Sequence, residues 1–173
     1  ADAVAQSIAL TVINAASRSF MGNVQVESDD FELTAPGFAG WTLHSFMRWA
    51  GVSEGTAANP KDWPRICIGE GILPDSILPW SRGWQYGLGK PQGKGSYFAP
   101  ACVAAGGLAV SEAFSLLRRD NPYAGRRRLS LSLWDPRAGT AEPAGLNMAV
   151  PMESLWLVGL GHLGQAYAWT LGF

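Results

Sequence analysis

The sequence predicts an α/β protein: a Rossmann-like sheet with helices on its faces, followed by the first strand of a second Rossmann unit. Three observations lead there. Segments of helical and of two-residue periodicity alternate along the chain in the order helix, strand, helix, strand, strand, helix, strand. A connection rich in Pro, Gly and Ala, from Asp135 to Gly145, then interrupts that order. After it a continuous apolar run, Ser154 to Val158, leads directly into Gly159-Leu160-Gly161-His162-Leu163-Gly164.

Taking the elements in order, Val4 to Ser19 sets Val4, Ile8, Leu10, Val12 and Ala15 or Ala16 near helical spacing in an Ala-rich stretch, so an amphipathic helix is expected, with Gly22 to end it. Asn23 to Glu27 alternates Val24 and Val26 with polar neighbours, the mark of a strand. Pro36, Gly37 and Gly40 make a turn, and Thr42 opens a short helix carrying Leu43, Phe46, Met47 and Trp49 that Gly51 closes. Ser53 to Pro64 is polar and reads as a surface loop. Arg65 to Gly69 is expected as a short buried strand, Pro74 to Pro79 as a turn, and Gly83 to Gly89 as a strand alternating Trp84, Tyr86 and Leu88. Lys90 to Gly95 reads as a mobile loop. The longest helix is expected from Tyr97 to Arg119, with an apolar face of Ala101, Ala104, Ala105, Leu108, Ala109 and Ala113 small enough to lie close on a neighbour. Asn121 and Pro122 stop it. Arg126 to Trp134 alternates Leu129, Leu131 and Leu133 with Ser130 and Ser132, a half-exposed strand. This divides the chain into an N-terminal domain over 1–136, a linker over 137–152 and the start of a nucleotide-binding domain over 153–173.

With 173 residues, 47% hydrophobic and 16% charged, the chain can bury one good core, and its eight Trp suggest apolar margins meant to be covered. Another copy of the chain is one expected cover, so a homo-oligomer is anticipated. A net charge of −1 gives no electrostatic footprint for nucleic acid or an anionic membrane, and neither is expected as a partner. Cys67 and Cys102 lie in apolar stretches without CxxC spacing, which fits buried free thiols and a cytoplasmic location.

The glycine segment matches GxGxxG in the context the motif needs, an apolar strand before it and helix-compatible residues from Gln165 to Trp169 after it. In such a segment the first glycine permits the turn, the second lets backbone N–H groups reach a phosphate, and the third lets helix pack on strand. The plain alternative is a tight strand-to-helix turn with no ligand. The acidic residue that would hold a ribose hydroxyl lies about 20 positions on, and nine residues follow Gly164, so the chain is expected to stop before the unit is complete.

The stretch Leu157 to Tyr167 resembles the opening of the ThiF/MoeB/HesA family, the ubiquitin-activating-type adenylyltransferases. Upstream, Ile66-Cys67-Ile68-Gly69, then Gly83-Trp84, then the Ala-rich helix Ala101 to Phe114, follow in the order seen in the later half of such a domain. The resemblance implies a degenerate, catalytically silent Rossmann-like copy placed before an active one. It also implies ATP with Mg as cofactor, adenylation of a carboxylate, and a ubiquitin-like or sulfur-carrier protein as partner. Gly159, Gly161 and Gly164 carry over as cofactor-binding positions. His162 departs from the small residue usual there, and either touches nucleotide or marks a non-standard site. No catalytic or metal-binding residue carries over, so the chain is expected to be inactive alone. The same glycines serve dinucleotides, which keeps a fragment of an NAD(P)- or FAD-dependent oxidoreductase open. A non-enzymatic α/β protein-interaction domain is the third reading.

Elsewhere Arg126-Arg127-Arg128 is expected to be a solvated strand entrance or an anion or partner contact. His44 reads as a satisfied core or edge residue without a neighbouring carboxylate, and Asp29, Asp30 and Glu32 as solvated loop charges. Trp80 to Tyr86 is expected in the core or an interface.

Overall fold

The computed structural model describes residues 2–21, 24–55, 63–69, 73–90, 96–135, 157–159 and 161–173. The expected linker, the loop at 91–95 and the strand residues 154–156 lie outside them. Helix α1 (Ala3–Ser19) starts where the Asp2 side chain accepts from the Ala5 N–H, which satisfies one of the four free donors of a first turn. Helix α2 (Leu43–Ala50) opens with a capping box, Thr42 and Ser45 each bonding the other's backbone, and closes on Gly51 in the left-handed conformation at φ 70°. Helix α3 (Ala99–Arg118) has Pro100 in its first turn, where the missing N–H costs nothing. Helix α4 (His162–Leu171) follows the glycine segment.

The α/β class holds, and among the described residues the strands gather into three small sheets. Strands β1 (Gln25–Val26) and β2 (Ser53–Glu54) pair in parallel, as do β3 (Arg65–Ile66) and β4 (Ser76–Ile77). Strands β5 (Pro79–Arg82), β6 (Gln85–Leu88) and β7 (Leu129–Ser132) form an antiparallel sheet in that order. Pro79 begins the edge strand, where no ladder bond needs its N–H.

Helix α1 is the centre. Its Ile8, Val12 and Ala16 meet Cys102, Ala105, Ala109, Val110 and Ala113 of α3, together with Ile77 and Leu88. The opposite side, Leu10 and Ile13, meets Leu33, Ala35, Leu43, Phe46, Met47 and Val52. A helix apolar on two sides must be enclosed, and α3 with its sheet covers one side while α2 and its flanking loops cover the other. The length and hydropathy of α3 would suit a bilayer; here they serve close packing on α1, β5 and β6. At the crossing of α1 and α3 a Cβ on Gly106 would lie 2.9 Å from both Cβ and Cγ2 of Thr11 and 3.1 Å from the Ile8 carbonyl oxygen. The next glycine, Gly107, faces open space.

One charged side chain enters this core. Glu112, 2% exposed, accepts from the Gly125 N–H at 3.0 Å and from Arg127 Nε at 3.0 and 3.1 Å, with Arg127 Nη2 also donating to Oε1. The pair ties the turn at 121–126 and the start of β7 onto α3. Of the basic run, Arg127 is therefore committed to Glu112, and Arg126 and Arg128 stay exposed.

The two neighbouring glycines should respond with opposite signs in thermal unfolding. Gly107→Ala gains helix propensity and stabilises by up to about 1 kcal/mol. Gly106→Ala gains the same but overpacks the crossing, and a net loss of about 1 kcal/mol is expected. Removing Arg127 (Arg127→Ala) leaves Glu112 buried without its cation, at a cost of about 2 kcal/mol given that the arginine itself is partly exposed. The Arg127 hydrogen bonds, then that from Gly125, hold the Glu112 carboxyl below its ordinary value. This contribution is thus present above the ordinary glutamate range near 4.3 and is lost as pH falls through the lowered value. The melting temperature of the native protein should drop more steeply on acidification than that of Arg127→Ala.

Candidate functional site

Leu157, Val158 and Gly159 carry no regular structure and reach α4 through a turn in which Gly159 adopts φ +89°, a conformation side chains disfavour. Gly161 is the N-cap of α4, with φ −66° and ψ −174°, and no side chain caps the helix. Gly164, in the first turn, lies against this bend, and a Cβ there would overlap the Gly159 carbonyl oxygen. The Gly161 carbonyl accepts the first helical bond from the Gln165 N–H at 2.9 Å. The N–H groups of His162, Leu163 and Gly164 have no intrahelical acceptor, and they stand at the positive end of the helix dipole. His162 is the first helical residue and is exposed. The four predicted positions are thus gathered on one turn. Its open side faces solvent at Gly159 and Gly161, where added Cβ atoms would meet nothing within 4 Å. Such an end offers backbone donors and partial positive charge to an anion. It offers no nucleophile or base besides His162.

Sequence reasoning did not foresee how α4 is seated. Its described residues include no fully buried one, and Leu163, Tyr167 and Leu171 are exposed. The hold is at its far end. The Trp169 ring lies 5.5 Å from Phe38 and 6.2 Å from Phe46 in tilted contacts and 5.3 Å from Phe173 edge-to-face, and its Nε1–H donates to Thr11 Oγ1 at 3.0 Å. Beside it the Gly172 carbonyl lies so close to Gly37 that no Cβ fits there. Only the high count of aromatic residues hinted at such a cluster.

The remaining candidates form no second centre. His44 has carboxylates close by, contrary to expectation: Nδ1 lies 4.0 Å from Asp30 and 3.7 Å from Glu54. Asp30 accepts the His44 backbone N–H at 2.9 Å, and this bond, first among the causes, holds its carboxyl below the usual value. Asp30 is thereby an accessory cap for α2 while staying exposed, as expected of a loop charge. Cys102 is buried and its thiol is pushed up by burial, while Cys67 is half-buried and bonds Ser76 at 3.2 Å. Trp80 is in the core. Among the described residues no three His, Cys, Asp or Glu cluster closely enough to hold a metal ion.

The profile of the BilD N-terminal domain family matches residues 1–133. A relative in Collimonas sp. (strain OK412), described as bacterial E1-like protein BilD, is 30% identical over 177 residues, covering 94% of this chain and 38% of the relative. The chain thus spans well under half of that relative's length. No solved structure matches. These findings correct the expected ThiF/MoeB/HesA membership: no such family matches, and BilD-like proteins, though E1-like, are a distinct family. The resemblance rested on about a dozen residues around the glycines, whereas the family profile covers the domain before them. The chain belongs to the BilD N-terminal domain family.

Proposed function

We propose that this chain is the N-terminal portion of an E1-like, ATP-dependent adenylyltransferase. Residues 1–136 serve as a scaffold or partner-docking domain, and residues 153–173 open the nucleotide-binding domain. The observation that carries the reading is Gly161. The backbone accounts for Gly159 by its positive φ and for Gly164 by its contact with the Gly159 carbonyl, but Gly161 has an ordinary φ and empty space around its missing Cβ. A site that brings a phosphate against that position explains why a side chain is absent there. The E1-like relative supports ATP as the source of that phosphate.

In this reading the first-turn N–H groups of His162, Leu163 and Gly164 donate to phosphate oxygens, and the α4 dipole favours their charge. His162 stands at the rim, beside the bound phosphates. When bound, ATP supplies the activating adenylyl group and pyrophosphate leaves. Magnesium needs oxygen ligands, and residues 157–172 contain no carboxylate, so this segment fits the phosphates and leaves the ion to residues outside it. The carboxylate to be activated belongs to a ubiquitin-like or sulfur-carrier protein, and in this reading the domain before the glycines serves to dock it.

The test uses the whole protein of which this chain is the N-terminal part. Isothermal titration should give Mg-ATP binding that Gly161→Ala weakens by tenfold or more at an unchanged melting temperature, and ATP–pyrophosphate exchange should fall in parallel. Gly164→Ala should instead loosen α4 itself, read as faster hydrogen exchange over residues 162–171. Binding of NAD without ATP would sink the reading, as would Gly161→Ala binding ATP like the native protein.

A further inference from the structure

We infer that Trp169 is a positioning residue for the nucleotide end of α4, setting where that end lies through its indole bond to Thr11. This rests on the proposed nucleotide site. Helix α4 buries no side chain fully, its aromatic contacts and indole bond are at Trp169 and Phe173, and the N–H groups proposed to face a phosphate are at the opposite end. Between Trp169 and His162 lie about two turns of helix, roughly 10 Å. A helix transmits motion rigidly, so a tilt of about 10° at the seat moves the donor end by about 2 Å, and a 1 Å misplacement can already cost ~100-fold in a reacting complex.

The ring contacts of Trp169 with Phe38 and Phe46, at 5.5 and 6.2 Å, are tilted, and that with Phe173, at 5.3 Å, is edge-to-face within the same helix end. Such contacts keep the ring in its pocket without fixing one rotation of the helix, because apolar packing has little directionality. The 3.0 Å bond from Nε1 to Thr11 Oγ1 is directional and selects one. Thr11 is itself immobile: its hydroxyl donates to the Ser7 carbonyl at 2.8 Å and its methyl is pressed on Gly106. The two halves of the Thr11 side chain therefore have separable tasks, the methyl for the α1–α3 crossing and the hydroxyl for α4.

That separation supplies the test on the whole protein, with Mg-ATP as the probe and thermal unfolding in parallel. Thr11→Val keeps the methyl and loses the acceptor, and Trp169→Phe keeps an aromatic ring and loses the donor. Each should weaken Mg-ATP binding by about three- to tenfold, the double variant by no more than the stronger single one, with small changes in melting temperature. Thr11→Ser keeps the hydroxyl and loses the methyl, and should lower the melting temperature while ATP affinity holds. Native ATP affinity in both Thr11→Val and Trp169→Phe overturns the inference, and so does Thr11→Ser losing as much affinity as Thr11→Val. Should the unmutated protein bind no nucleotide at all, the functional reading fails first and the inference goes with it.

Discussion

The fold depends on how closely α1 and α3 approach at Thr11 and Gly106. The missing side chain on Gly106 lets the Thr11 methyl and the Ile8 carbonyl sit where a Cβ would be, and the Ala face of α3 extends this contact along Ala105, Ala109 and Ala113. With α1 held this deeply, its polar residues cannot reach solvent and must be satisfied by other elements. Gln6 accepts from the Thr34 N–H at 2.8 Å, the hydroxyls of Ser7 and Tyr97 share a hydrogen bond at 3.1 Å, and Thr11 accepts from Trp169. Three segments far apart in sequence are thus fastened to one helix by the groups that helix could not leave unpaired. Among the described residues no buried side-chain nitrogen or oxygen lacks a partner.

The helices were legible because their periodicity extends over enough residues to be unambiguous. The expected spans, 4–19 and 97–119, differ from the observed 3–19 and 99–118 by two residues at most. Of the two-residue strands, β1 and β3 fall within segments expected as strands, whereas β2 at Ser53–Glu54 and β4 at Ser76–Ile77 fall within polar or Pro-bounded segments expected to be loop or turn. Strand β5 was hidden by Pro79, a turn signal in most settings that an edge strand tolerates at its first residue. Gly83 and Trp84, expected in a strand, make the two-residue connection between β5 and β6.

Contacts between distant residues left no local trace. Glu112 interrupts the small apolar face of α3 and reads as a surface residue in any window, yet it is buried because Arg127 and the Gly125 N–H reach it from the following turn. The basic run 126–128 reads as a solvated patch because its members look alike, and only tertiary structure distinguishes Arg127 from its neighbours. His44 is similar: Asp30 and Glu54 lie 14 and 10 positions away in other segments, and converge because β1–β2 pairing and the α2 cap bring those segments together. The aromatic seat of α4 joins Phe38 to Trp169 across most of the chain.

A short motif and a family profile answer different questions. The GxGxxG spacing describes a bend, and the bend is present: a left-handed first glycine, an unencumbered second at the helix cap, and a third packed on the first. Any lineage that needs backbone N–H groups beside a phosphate arrives at this solution, so a dozen residues suggested the wrong family while describing the local geometry well. The family profile covers residues 1–133, where the pairings of Thr11 with Gly106 and Glu112 with Arg127 serve packing. The two kinds of information meet in α4. Its first turn has the geometry of a general anion site, and its last turn is shaped to fit this domain alone. The glycine bend and the packing of the N-terminal domain are thus joined by one short helix.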